Sequence, residues 1–371
     1  MAERGTRKES SRSGPEERQG RLRLSLSSLG ADAVLVSHLP NILYLCGFSG
    51  SAGLLLVEPS KSTLFTDSRY TFQARDEVDG AGIHIAKKGL LRAVVETLKK
   101  GRARRRIAFS AAHMTVAEKQ ALEAGAGPRI RWVSDQNCVE KLRAVKDAGE
   151  LATMREAALL ISRVFDQTLR MIKPGVAELD LAAEIEHAIK RGGGSGPSFD
   201  TIVASGPRSA WAHARPTSKP LRKSELVVLD QGAIIRGYCS DMTRTVHLGR
   251  ASARVTGLYN AVLDAQQAAK DAVRPGAKAG DVDGAARAAL KSCKLARYFT
   301  HSTGHGLGLE VHEMPRLGKG DETLLREGMV VTVEPGVYLE GVGGIRIEDD
   351  VVVTASGCAN LTTATREFLE L

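Results

Sequence analysis

The sequence is short of several things that would mark its class at once. It has no apolar run approaching the roughly 20 residues of a spanning helix, so a membrane span is not expected. Residues 1–21 lack the apolar core of a secretory signal, and their mixed charge signs disfavour a transit peptide. They are expected to form a basic, disordered tail. Cysteine is scarce and scattered: Cys46, Cys138, Cys239, Cys293 and Cys358 are odd in number and form no Cys-x-x-Cys pair. That excludes a disulfide framework and a zinc knuckle, and it suits reduced thiols in a cytoplasmic protein. Acidic residues are outnumbered, 43 against 52 basic ones, for a net charge of +9. Part of the excess lies in the tail and in GRARRR at 101–106, which reads as a solvated turn, so nucleic acid is not an expected partner. Aromatic residues make up only 4%, yet 43% hydrophobic residues in a chain of 371 suffice for two domains with their own cores.

What is present is a strong order of patterns. From 32 to 133, strand-like runs (AVLVS, GLLLV, STLFT, IHIA, RIAF, RWV) alternate with helical segments near 41–45, 69–75, 90–100 and 115–123. Such alternation predicts an α/β domain. Its polar residues converge on no chemistry, and GFSGSAG at 47–53 reads as a turn, matching neither a dinucleotide loop nor a nucleophile elbow. A charged stretch at 139–149 is expected to link this domain, 22–138, to a second one at 150–371. There Leu151, Met154, Ala158, Ile161, Phe165, Leu169 and Ile172 follow helical spacing, and Asp180 is expected to cap the next helix. The same pattern then recurs. IKPGVAELDLAAEIEHAIK, from Ile172, aligns with VRPGAKAGDVDGAARAALK, from Val273, and both Pro174/Pro275 and Asp180/Asp281 are offset by 101 residues. A single duplication is not a solenoid. It predicts two helix–helix–hairpin halves about a pseudo-twofold axis.

Each half ends in a strand, a turn and a strand, with a carboxylate on each strand. Residues 226–246 carry Asp230 and Asp241, with the fold point expected at 235–236, just before Gly237. Residues 330–350 carry Glu334 and Glu348 around Gly341, which places those two opposite each other. Buried like charges raise one another's pKa unless a cation lies between them, so two facing hairpins of this kind predict a two-metal site. Between the second helix pair and its hairpin, HSTGHGLGLEVHE at 301–313 holds His301, His305 and His312 among glycines. His213, in WAHARP, stands in the corresponding place of the first half.

Asp230, Asp241, His305, Glu334 and Glu348, in that order and spacing, resemble the five metal ligands of the pita-bread metallopeptidases. NILYLCGFSGS and TDSRYTFQA resemble a creatinase-type amino-terminal domain. GPSFDTIVASGPRSA, HSTGHGLGLEVHE, VEPGVY and GGIRIEDD resemble the bacterial Xaa-Pro aminopeptidase and Xaa-Pro dipeptidase branch. The resemblance covers nearly the whole chain. It implies a creatinase-like α/β domain followed by a pseudo-twofold pita-bread catalytic domain. It also implies two divalent ions: Asp241 and Glu348 bridging, Asp230 on one ion, His305 and Glu334 on the other. One nitrogen among many oxygens favours Mn²⁺, with Co²⁺ or Zn²⁺ as alternatives. Glu334 is the implied proton shuttle, and His213 and His312 the donors to substrate and intermediate. His301 and Arg346 match positions that shape the substrate pocket. The implied activity is hydrolysis of the bond between an amino-terminal residue and proline, with peptides as partners and a homodimer as assembly. Aminopeptidase is the first expectation, with a dipeptidase or a non-catalytic peptide-binding module as alternatives. Trp211-Ala212 before His213, Gln231, and the glycines at 192–194 depart from the family pattern and bear on pocket shape.

Overall fold

The computed structural model describes residues 14–101 and 103–371, and the chain divides into two compact units, one ending at Arg143 and the other beginning at Ala144. In the first unit, β1 (Ala33–Val36), β2 (Leu54–Val57), β3 (Ser62–Asp67), β4 (Gly82–Ala86), β5 (Arg105–Ser110) and β6 (Ile130–Asp135) form one mixed sheet. Its order is β4-β3-β2-β1-β5-β6. Helices α1 (Pro15–Leu24), α2 (Leu39–Cys46), α3 (Thr71–Glu77), α4 (Leu90–Lys99), α5 (Val116–Ala126) and α6 (Glu140–Arg143) accompany it. Leu35, Leu56, Phe65, Ile107 and Phe109 on the strands pack with Val94, Leu98 and Leu122 on α4 and α5.

Two expectations are corrected here. Residues 1–13 of the expected disordered tail lie outside the described residues, but 15–21 belong to helix α1. Pro15 opens it, Glu16 and Glu17 stand in its first turn and Arg21 and Arg23 in its last, which complements the helix dipole. Only Gln19 and Leu22 of this helix are buried, with the Gln19 amide donating to the carbonyl of Leu45. Packing supplies what its polar sequence does not. The expected link at 139–149 is itself structured, containing α6 and the start of the next helix.

The second unit begins with α7 (Ala148–Leu169), capped by Asp147, whose side chain accepts from the backbone of Gly149 and Glu150 while Glu150 returns a bond to Asp147. Helix α8 (Glu178–Arg191) follows, and Asp180 lies in its first turn rather than at the cap, which is Ala177. Then come β7 (Gly196–Pro197), β8 (Ile202–Ser205), β9 (Glu225–Gln231), β10 (Ala233–Ile235), β11 (Tyr238–Cys239) and β12 (Met242–Leu248). The second half repeats the plan: α9 (Ala253–Ala272), α10 (Ala279–Ser292), β13 (Gly304–Gly306), β14 (Glu313–Leu317), β15 (Val330–Val333), β16 (Gly336–Leu339), β17 (Gly343–Arg346), β18 (Asp349–Val353) and β19 (Cys358–Asn360). The duplication extends to backbone bonding. Gly175 donates to Leu221 and Gly276 to Leu325, and those two residues donate back to Val176 and Ala277. Both glycines adopt positive φ after the repeated proline, which ends one helix and turns the chain toward the next. Each half has its own core, one around Ile161, Phe165, Ile185 and Leu229, the other around Val262, Val282, Val331 and Ile345.

Candidate metal centre and active-site cleft

The two hairpins place the carboxylates. In the first, β9 pairs antiparallel with β12 so that Asp230 faces Thr243. The turn lies at Arg236 and Gly237, with φ of 48° and 85°, one residue beyond the expected fold point. A two-residue turn with both φ positive puts the glycine inside it. Asp241 lies two residues before Thr243, on the same face as Asp230. In the second hairpin the expected register holds: Val333 faces Asp349 and Gly336 faces Arg346, so Glu334 and Glu348 lie opposite each other. They occupy the gap where the ladder passes from the β15/β18 pair to the β16/β17 pair.

His305 arrives on β13 between two glycines that the sheet requires. A Cβ at Gly304 would lie 2.0 Å from the Thr332 carbonyl oxygen, and one at Gly306 would lie 2.1 Å from that of Met314. The hairpins meet along β12: Glu348 N–H donates to the Thr243 carbonyl, Asp241 N–H to Asp350 Oδ2, and Thr243 Oγ1 to Glu348 Oε2 at 2.6 Å.

All nine residues singled out in the sequence line one cleft of about 600 Å³. Ligand atoms of Asp241, His305 and Glu348 lie within 4.8 Å of one another. His305 Nε2 is 3.6 Å from Glu334 Oε1 and 3.8 Å from Asp241 Oδ2. Asp230 stands beside them with Oδ2 on Arg346 Nη2 at 2.5 Å.

The electrostatics fit a cation. Burial, then the charges of Glu348 and Asp230, push the Asp241 carboxyl well above its ordinary range. Burial and the charges of Glu334 and Asp230 do the same to Glu348. Burial lifts Glu334 to about 8. Asp230 Oδ1 and Asp241 Oδ1 are buried and accept no hydrogen bond from the protein. Burial depresses His305 to about 4, keeping it neutral, and its Nδ1 at 3.0 Å from the Gly306 carbonyl is thereby the protonated nitrogen. Nε2 is left with a lone pair directed at the carboxylates. Crowded oxygens, orphaned acceptors and an oriented imidazole are what a dinuclear divalent site needs, and the group fits the residues.

The remaining candidates divide. His213 and His312 are open to the cleft, and the His312 ring lies edge-on to His305 with centroids 4.4 Å apart. His301 is committed at both nitrogens, Nε2 to Tyr338 Oη at 2.9 Å and Nδ1 to the Ser302 carbonyl at 2.8 Å. Arg346 lines the cleft but spends its donors on Asp230, Thr243 Oγ1, Tyr338 Oη and the Ala212 carbonyl. Its role as a substrate contact is therefore narrowed to shaping the site through Asp230 and Tyr338. It also enters the charge count: four carboxylates and one guanidinium leave −3, which two divalent ions turn to +1.

Two residues that serve the site were missed in the sequence. Tyr338, in VEPGVY, anchors His301 and Arg346 together. Arg316, on β14 opposite His305, reaches the cleft and has no hydrogen bond or ion pair from its side chain among the described residues. Its spacing, four residues after His312 and in strand, was the available signal.

Cleft and duplicated fold together define a pita-bread metallopeptidase. Residues 152–355 match Metallopeptidase family M24, and residues 18–145 match the Creatinase/Prolidase N-terminal domain. The chain belongs to metallopeptidase family M24. It is 33% identical over 339 residues to a Xaa-Pro dipeptidase of Pyrococcus horikoshii, covering 91% of this chain and 94% of the relative. Among solved structures, a Xaa-Pro dipeptidase from Bacillus anthracis superposes with a TM-score of 0.93 at 34% identity, covering 96% of this chain and all of that one. An X-Pro aminopeptidase from Thermotoga maritima superposes with a TM-score of 0.87, also at 34% identity, covering 94% and 100% of the two chains. Among the described residues no helix is long and apolar enough to cross a membrane.

Proposed function

We propose that this protein is a Xaa-Pro dipeptidase. This reverses the order expected from the sequence, where the aminopeptidase stood first. The observation that carries the choice is Arg316, an uncommitted guanidinium lining the cleft and paired in register with His305. A dipeptide presents its carboxylate one residue beyond the scissile bond, and a guanidinium there pairs with it in a planar fork. Two relatives described as Xaa-Pro dipeptidases, each aligned over most of both chains, support the same order.

The metal ligands in this reading are Asp230, Asp241, His305, Glu334 and Glu348, with Asp241 and Glu348 shared between two ions, Mn²⁺ first and Co²⁺ or Zn²⁺ as alternatives. When bound, the ions supply Lewis acidity at the scissile carbonyl and acidify the attacking water. Glu334, beside His305 in the cleft, takes the water's proton and returns it to the leaving nitrogen. That nitrogen belongs to proline, which has no N–H, so the substrate offers nothing for strand-like pairing and must be held by its carbonyl and carboxylate. His213 and His312 donate to the carbonyl oxygen as charge develops on it. Arg346 holds Asp230 in place through its Nη2–Oδ2 pair. A homodimer in the cytoplasm belongs to the same reading.

The test is a kinetic comparison of Ala-Pro, Ala-Pro-Ala, Ala-Ala and N-acetyl-Ala-Pro on Mn²⁺-loaded protein. Ala-Pro is expected to be turned over best, and Arg316→Ala to raise its KM. Preference for Ala-Pro-Ala would move the assignment to aminopeptidase, and indifference to proline would refute both.

A further inference from the structure

We propose that Arg244, backed by residues 361–371, clamps the backbone at Glu348 and is thereby a positioning residue for the metal centre. The inference rests on Glu348 being a metal ligand.

Strand alternation on β12 turns Thr243 toward the cleft and Arg244 away from it. Arg244 is nevertheless only 2% exposed. A guanidinium has five N–H donors, and a buried one left unsatisfied is costly. All five are used here. Nε donates to the Thr365 carbonyl, Nη1 to those of Thr243 and Glu348, and Nη2 to the Ala364 carbonyl and Asp349 Oδ1.

The bond to the Glu348 carbonyl, 2.5 Å long, falls where the sheet gives least support. β17 ends at Arg346 and β18 begins at Asp349, so Glu348 lies in neither ladder. Thr243 holds its N–H and its side chain, and Arg244 holds its carbonyl. The carboxylate is thus aimed by two adjacent residues of the other hairpin, one working from each side of the strand.

Two of the five acceptors come from residues 364 and 365, which are themselves tied down at a distance. Leu361 and Thr362 bond Asp350, and Thr363 N–H donates to Ser162 on α7. Tyr259 on α9 donates to the Arg366 carbonyl, and Phe368 stacks on the Tyr259 ring at 4.3 Å. Leu369 and Leu371 exchange backbone bonds with His247 on β12. Phe368 therefore holds the clamp closed from outside the cleft, whose lining does not include it.

The experiment measures the Mn²⁺ dissociation constant by competition with a fluorescent chelator, on the full chain. It compares wild type with Arg244→Lys, Phe368→Ala and Phe368→Tyr, with circular dichroism to verify folding. Arg244→Lys keeps the charge beside Asp349 but loses the fork, and it is expected to weaken Mn²⁺ binding on the order of 10- to 100-fold. Phe368→Ala is expected to weaken it severalfold from outside the cleft, and Phe368→Tyr to restore it. Folded Arg244→Lys and Phe368→Ala proteins that bind Mn²⁺ as wild type does would overturn the clamp alone. If Arg244→Lys does not fold, Phe368→Ala decides. A wild type that takes up no Mn²⁺ would overturn the ligand reading and the clamp with it.

Discussion

Stripping the metal from this protein should make its stability fall far more steeply as alkali is added. With no cation in the cleft, Asp241, Glu334 and Glu348 have folded-state pKa values raised above their ordinary carboxylate range, by burial first and by neighbouring carboxylates second. A carboxyl that binds its proton more tightly in the folded than in the unfolded state stabilises the fold below its ordinary pKa, and that stability is lost as pH rises through the folded value. Buried His301 and His305 run the other way. Both are held at about 4 against an ordinary 6.5, so their contribution is lost as pH falls below 6.5. Between pH 6.5 and 8 these histidines are neutral in the folded state and shed only the last of their unfolded-state protons, an opposing gain of about 0.8 kcal/mol for the pair, so the carboxyls dominate. Glu334, at about 8, should by itself make the metal-free protein roughly 1.5 kcal/mol less stable at the upper end of that window than at the lower. Asp241 and Glu348 steepen the fall. Bound Mn²⁺ replaces those protons, so the loaded protein should show a much flatter profile, with Asp350, raised by burial, contributing in both forms. The assay is guanidinium unfolding at pH 6.5, 7.0, 7.5 and 8.0, with chelator or with excess Mn²⁺. Metal-free stability that holds level or rises across this window would refute the electrostatic picture of the cleft.

Asp241→Ala and Glu348→Ala should each remove a shared ligand and abolish both Mn²⁺ uptake, read by elemental analysis, and peptide hydrolysis. His312→Ala and His213→Ala should lower kcat on the order of 10²-fold or more while metal content stays near wild type; loss of metal in proportion to activity would make that histidine a ligand instead. Gly304→Ala, whose new Cβ would press on the Thr332 carbonyl oxygen, should cost on the order of 3 kcal/mol or prevent folding, read as a fall in the denaturation midpoint.

The parts of this architecture legible beforehand were those written in periodicity and spacing. The 101-residue repeat became two helix pairs with matching backbone bonds at Gly175 and Gly276. The placement of Glu334 against Glu348 followed from counting outward from Gly341, because the ladders on either side of the gap keep the same count. The first hairpin was misplaced by one residue, since the count assumed Asp230 and Asp241 to be directly opposite when they are diagonal. Helix α1 escaped notice because its hold is tertiary, resting on two buried side chains in an otherwise charged segment. Arg346 was expected to shape the substrate pocket, but a motif names a position and not its partners; only the folded chain shows its donors on Asp230 and Tyr338. Arg316 and Tyr338 were passed over for the complementary reason, one lacking a partner in sequence and the other gaining two in space.

The run Glu348-Asp349-Asp350 has a consequence for how the last hairpin finds its alignment. Every residue of β15 and β18 is buried, so no greasy side and wet side exist to tell one pairing from its neighbour. Charge does the discriminating instead. Asp349 looks toward Arg244 and Lys270, a permanent pair of cations, while Glu348 and Asp350 look toward Asp241 and the cleft. A shift by one residue would leave an acid facing those cations, Glu348 or Asp350 in place of Asp349, but it would bring Ile347 or Val351 into one of the two acid positions on the cleft side. The triplet thus keeps the buried cations paired in either register, and the acids on the cleft side alone tell the registers apart. A one-residue slip of β18 along β15 should therefore cost the cleft a carboxylate, and Mn²⁺ uptake with it, while the strands stay as buried as before.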